Sequence, residues 1–247
     1  MDWLLLRGLT RESAHWGAFP ERLKAALPEH RFWPVDLPGA GDRYRDPSPD
    51  TIPGIRRAVA EATRALPRPL GLLALSLGGM VALDWAQAEP EVIARVVLIN
   101  SSSRLSPPWQ RLRPGRWPAV LRLLAAPVDE RERGILAMSS NHRPLPAGTL
   151  AAWQEIQRQR PVSRPNALRQ LGAALRYRPS TTRPLADALV LASRADRLVD
   201  WRCSWALANR YDWPLMLHDR AGHDLPLDDP DWTVERIRRW LAAPEVA

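Results

Sequence analysis

Six short, predominantly apolar runs, each bounded by glycine, proline or polar residues, set the architecture this chain can adopt. They are Trp3–Leu6, Phe32–Val35, Leu70–Leu75, Val92–Ile99, Ala188–Ala192 and Leu215–Leu217. Runs of this length suit strands rather than helices. Continuous apolarity means burial on both faces, which is the condition of a parallel sheet covered by helices above and below. The intervening stretches predict those helices over roughly 16–27, 51–66, 77–89, 201–210 and 231–242. In the last, Val234, Ile237 and Leu241 recur at helical spacing opposite Arg236, Arg238 and Arg239.

The alternation breaks after Asn100. Some 80 residues pass before the next apolar run, punctuated by prolines from Pro107 to Pro179. Within them Leu150, Trp153 and Ile156, and again Leu168, Leu171 and Leu175, predict helices joined by proline turns. The same stretch is set apart by charge. Net charge over the 247 residues is +8, yet Arg104–Arg183 holds 15 arginines against Asp129, Glu130, Glu132 and Glu155, a net of +11. The remainder sums to −3. We therefore expect a basic, mostly helical insertion over 104–183, with a core formed by 1–103 and 184–247.

Several function classes are disfavoured. No uncharged apolar run reaches the ~18 residues of a membrane span. Met1–Arg7 carries an acid at Asp2 and too short an apolar run for a signal peptide. The lone cysteine, Cys203, cannot form an internal disulfide or a cysteine-based zinc site. A cytoplasmic protein without a membrane partner is expected. Although basic, the chain shows no helix-turn-helix, zinc-finger or aromatic–basic RNA-binding signature, so no nucleic-acid partner is expected.

The chemistry is carried by Leu70–Met80, where an apolar strand runs straight into a helix with Ser76 at the junction. A sharp strand-to-helix turn lifts a serine hydroxyl above the sheet edge, and small residues at Ala74 and Gly78 let backbone pack around the turn. The following helix start is expected to place backbone N–H groups beside that serine, where a developing oxyanion could be held. A serine capping a helix after a strand is the plain structural alternative.

Ala74-Leu75-Ser76-Leu77-Gly78-Gly79 resembles the nucleophile elbow of the α/β-hydrolase family, with Ala74 where the family usually has glycine. The resemblance implies a triad in the order Ser, acid, His. It places the acid at Asp196, on the loop after Ala188–Ala192, in preference to Asp200, and the base at His223, on the loop after Leu215–Leu217, in preference to His218. Ser101, Ser102 and Ser103 also follow a strand but lack a glycine-flanked elbow. Leu6-Arg7-Gly8-Leu9 is similar to the family's His-Gly segment, with Arg7 in place of His, and implies Leu9 N–H as an oxyanion donor alongside Leu77 N–H. Arg7 and Arg11 either attract an anionic substrate group or pair with an acid. Asp36-Leu37-Pro38-Gly39-Ala40-Gly41 resembles the family's Asp-x-Pro-Gly-x-Gly loop, which shapes the site.

By this resemblance the first strand here corresponds to the family's third. That implies a mostly parallel sheet of about six strands, with helices on both faces and the helical cap at 104–183. The implied activity is carboxylic ester hydrolysis through an acyl-enzyme, with no metal or organic cofactor. Trp109, Trp117 and Trp153 are expected either to line an acyl pocket or to form the cap's own core. Two substrate readings stay open. One is a small or medium ester. The other is an ester or thioester borne by an acidic carrier or coenzyme A, since the elbow also resembles cap-bearing esterases that cleave the methyl ester of pimeloyl-acyl-carrier protein. A non-catalytic binding protein on the same fold is a third reading.

Overall fold

A computed structural model describes residues 1–184 and 186–243. The ends of the expected 184–247 core segment, 185 and 244–247, lie outside the described residues. In chain order the elements are β1 (Asp2–Leu6), α1 (Phe19–Ala26), β2 (Arg31–Val35), α2 (Ile52–Ala62), β3 (Leu70–Leu75), α3 (Leu77–Ala88) and β4 (Ile93–Ile99). Helices α4 (Pro108–Arg111), α5 (Trp117–Ala125), α6 (Val128–Ser139), α7 (Ala147–Gln159) and α8 (Arg164–Arg176) follow. The chain continues through β5 (Asp187–Ser193), α9 (Arg202–Tyr211), β6 (Leu215–His218), α10 (Leu225–Asp228) and α11 (Pro230–Ala242).

The six strands form one sheet in the order β2-β1-β3-β4-β5-β6, and every pairing is parallel. Side chains leave a strand alternately to its two faces, and the core divides accordingly. Leu4, Leu6, Leu72, Ala74, Val96, Leu98 and Val190 pack with α2, α3 and α9. Trp3, Leu5, Leu73, Leu75, Val97, Ile99 and Leu191 pack with α1 and α11. Gly71 belongs to this arrangement, because a Cβ there would run into the Trp3 indole. Pro34 lies in β2, an edge strand, where its missing N–H costs no ladder bond.

Helix starts follow their caps. Thr51, Ser163 and Asp229 accept from Gly54 N (3.2 Å), Asn166 N (3.3 Å) and Trp232 N (3.0 Å) at the heads of α2, α8 and α11, each with proline in the first turn. The helix expected over 16–27 begins only at Phe19. Gly17 takes φ 53°, which ends a 3₁₀ turn over Ser13–Trp16 before α1 can start. Among the described residues no helix is long and apolar enough to cross a membrane.

The chain runs from β2 across β1 to β3, so the strand order reverses between β1 and β3. In an open parallel sheet a ligand crevice forms outside the carboxyl ends of the strands at such a reversal. Gly8 and Ser76 stand at those two ends.

Candidate active site

Ser76 is held at φ 55°, ψ −116°, a backbone conformation that L-residues rarely adopt. Its N–H donates to Ile99 O (2.9 Å), extending the sheet ladder to the turn itself. Ser76 remains partly accessible while Leu75 and Leu77 on either side are buried. The turn is tight because β1 passes beside it. A Cβ on Gly78 would run into the carbonyl oxygens of Leu6 and Arg7, and one on Gly8 would lie 3.2 Å from Ser76 Cβ. Gly78→Ala must displace main chain, so we expect it to lower stability by about 1–3 kcal/mol, read as a fall in thermal midpoint. The methyl of Ala74 is fully buried in the core.

Asp196 and His223, the residues expected as acid and base, follow the ends of β5 and β6. Asp196 Oδ2 lies 2.7 Å from His223 Nδ1, and its Oδ1 accepts from Leu198 N (2.7 Å) and Val199 N (3.0 Å). Three partners fix the carboxylate. It stands where it can accept an Nδ1 proton, the arrangement that leaves Nε2 as the unprotonated ring nitrogen. Asp200 instead accepts from Arg202 N (3.0 Å) and lies 3.5 Å from Arg113 Nη2. His218 accepts from Ala221 N (2.9 Å) at Nδ1 and sits 3.1 Å from Asp229 Oδ2 at Nε2, which makes it a loop brace. Burial of the His223 imidazole depresses its basicity. The charge of Asp196 and its hydrogen bond, with Asp224 adding to them and Arg7 opposing, outweigh burial and leave it above the ordinary histidine value.

Asn100 is a residue that strand patterning passed over. At φ 45° it ends β4, donates from Nδ2 to His223 O (2.8 Å) and accepts from Ser193 N at Oδ1 (2.8 Å), tying β4, β5 and the histidine loop together. Its tolerance of the left-handed region is the one local signal that marks it. Ser101 Oγ donates to Ser76 O (2.8 Å), bracing the elbow from below.

Ser76, His223 and Ser102 open onto a cavity of about 210 Å³ between the strand ends and the helices that follow β4. Its apolar wall includes Leu123, Leu124, Ile135, Met138, Leu171 and Leu175. Of the three tryptophans singled out, only Trp153 lines it, with Arg11 stacked on its ring at 5.2 Å. Trp109 is 62 % exposed, because the single turn of α4 buries Arg111 instead. Trp117 stands at the first turn of α5, whose Val120, Leu123 and Leu124 face the cavity. Neither Trp109 nor Trp117 contributes to the pocket.

Both arginines after β1 are paired with acids, which decides their open reading. Arg7 meets Asp224 (2.5 Å) and Arg11 meets Glu132 on α6 (2.5 Å). The loop after β1 is also tied to the helices that follow β4. Thr10 N donates to Gln170 Oε1 on α8 (3.0 Å), and Arg160 Nε donates to Glu12 Oε1 (2.9 Å). In the Asp36 loop, the carboxylate accepts from Ser13 N (2.7 Å) and Asp42 N (2.9 Å), so Asp36 shapes its surroundings away from the cavity.

The model of the alpha/beta hydrolase family matches residues 3–236. The pimeloyl-[acyl-carrier protein] methyl ester esterase of Xanthomonas campestris pv. campestris is 28% identical over 243 residues, which cover 93% of this chain and 91% of that protein. The protein of the same name from Xanthomonas oryzae pv. oryzae is 30% identical over 243 residues, with the same coverage. Among solved structures, an esterase from Exiguobacterium antarcticum superposes with a TM-score of 0.78 at 15% identity, covering 98% of this chain and 92% of that one. At that identity the likeness is one of fold.

Proposed function

Because this chain belongs to the alpha/beta hydrolase family, we propose that it hydrolyses carboxylic esters with Ser76 as nucleophile, His223 as base and Asp196 as orienting acid. The observation that carries the reading is the 2.7 Å Asp196–His223 contact, opening onto the cavity that also holds the strained Ser76. A serine hydroxyl is too weakly acidic to attack unaided. His223 Nε2 takes its proton as Oγ bonds to the acyl carbon, and the carbonyl electron pair moves onto oxygen. Leu77 N–H, at the first position of α3 with no intrahelical acceptor, and Leu9 N–H hold that oxyanion. Collapse breaks the bond to the alcohol, which leaves with the proton from His223. Water, deprotonated by His223, then attacks the acyl-enzyme and releases the acid and Ser76.

The base must be neutral to act, and its basicity is raised. kcat/KM is therefore expected to fall as pH drops through a midpoint above 6.5, the ordinary histidine value, and to level off above it. A pH–rate profile on a p-nitrophenyl ester checks this; an acid limb centred below 6 would contradict it.

For the substrate, we read the helices over 104–183 as a cap that receives an acyl chain from an acidic carrier. Three observations support this: the relatives are named for such a substrate, the segment carries a net +11, and the cavity wall is largely apolar with Trp153 in it. A positive surface speeds association with an acidic partner, and salt weakens it. Turnover of a carrier-linked methyl ester should fall about tenfold or more between 50 and 500 mM salt, while a free methyl ester changes little. A flat response for both removes the carrier and leaves the second reading, a free small or medium ester. The apolar wall suits that too, and a p-nitrophenyl series of increasing acyl length would rank it. Failure of a serine-directed fluorophosphonate to label Ser76 would favour a non-catalytic binding protein.

A further inference from the structure

Arg7 leaves β1 immediately before Gly8, and Asp224 immediately follows His223. Their side chains meet in a two-pronged pair, Nη1 to Oδ1 at 3.2 Å and Nη2 to Oδ2 at 2.5 Å, each 2 % exposed. The Arg7 guanidinium also lies over the Trp16 ring, 4.7 Å from its centroid. Asp224 N donates to Ser139 O (2.8 Å), and both residues line the active-site cavity. A buried ion pair gains little stability over apolar side chains of the same size, while losing one partner strands a charge. Packing alone therefore gives no reason for a charged pair in a largely apolar wall. What a planar fork on a carboxylate adds is direction, since it fixes two chain segments in one relative geometry.

We propose that Arg7 and Asp224 are a positioning pair that locks the loop presenting Leu9 N–H to the loop presenting His223. This rests on the serine-hydrolase reading above. The pair touches no reacting atom. It acts by holding the oxyanion donor and the base in register with Ser76, and by keeping the charge beside the imidazole balanced. The charged groups facing His223 are Asp196 from the loop after β5, Asp224 on its own loop and Arg7 from the end of β1. Removing Arg7 leaves His223 beside two uncompensated carboxylates, which favours the imidazolium. Removing Asp224 leaves it beside an unpaired guanidinium, which disfavours the imidazolium.

The test compares Arg7→Met, Asp224→Asn, Arg7→Met/Asp224→Asn and Arg7→Lys. Each is followed by the pH profile of kcat/KM, by separate kcat and KM, and by NMR titration of the His223 ring proton, assigned with His223→Gln. Arg7→Met should move the acid limb and the NMR midpoint up by about 0.5–1 pH unit, and Asp224→Asn should move both down by a similar amount. The double variant should return the midpoint to the wild-type value while kcat stays about 10- to 100-fold low and KM changes less than about threefold. Arg7→Lys keeps the charge without the fork, so it should keep the midpoint and lose part of kcat. Shifts in the same direction, no shift, or a loss confined to KM would overturn the proposal. If the neutralising variants do not fold, Arg7→Lys decides alone, and wild-type kcat in it overturns the positioning role. The NMR titration needs no turnover, so a wild type that cleaves no ester would count against the serine-hydrolase reading and not against the pair.

Discussion

Replacing Ser76 with alanine is expected to lower kcat for ester hydrolysis by about 10⁴- to 10⁶-fold while leaving the fold intact. The loss is total for the covalent route because no other hydroxyl occupies the turn. Ser101 Oγ is spent on Ser76 O. Ser102 lines the cavity but has no glycine-flanked turn behind it. The residual rate should come from oxyanion donors and cavity binding, so adding His223→Ala to Ser76→Ala should change little further. Unchanged circular dichroism and melting in Ser76→Ala separate chemistry from folding. Retention of more than a tenth of wild-type activity would show that Ser76 is not the nucleophile.

Asp196→Asn is expected to lower kcat by about 10³- to 10⁴-fold, whereas Asp200→Asn should stay within about threefold. The difference follows from where each carboxylate points. Asp196 Oδ2 faces His223 Nδ1 at 2.7 Å while its Oδ1 is pinned by Leu198 N and Val199 N. An amide in its place can turn its NH₂ toward the ring, which favours the tautomer protonated at Nε2, and that nitrogen can no longer accept the serine proton. Asp200 is buried and occupied with Arg202 and Arg113, and losing its charge breaks those pairs without touching the His223 ring. Equal effects of the two substitutions on kcat would mean the acid has been misassigned.

Much of this was legible in the residues themselves. All six apolar runs are strands, within two residues at each end, because continuous apolarity over so few residues has few other solutions. Ser76, Asp196 and His223 each follow a strand, so a parallel sheet carries all three to one edge. The gap between Asp196 and Asp200 was harder. Both sit on the same loop, and what separates them is the 2.7 Å approach of Asp196 to His223, a contact between residues 27 apart in sequence. Arg7 and Arg11 carried no mark of their partners, since Asp224 and Glu132 lie 217 and 121 residues away in sequence. Trp109 and Trp153 look alike in an amphipathic pattern. Their fates differ because one sits on a four-residue helix and the other midway along a helix of 13.

Three consecutive residues after β1 each hold a different helix of the basic segment: Thr10 on α8, Arg11 on α6 and Glu12 at Arg160, just past α7. Leu9, the residue before them, is the one read as an oxyanion donor. The helices over the cavity are therefore not an interchangeable module. A chimera that borrows them from another member of the family would strand Arg11 and Glu12 as buried charges and loosen the stretch beside Leu9. Recombination of specificity in this protein has to treat residues 10–12 as part of the transplanted piece, although they lie almost a hundred residues before it in the chain.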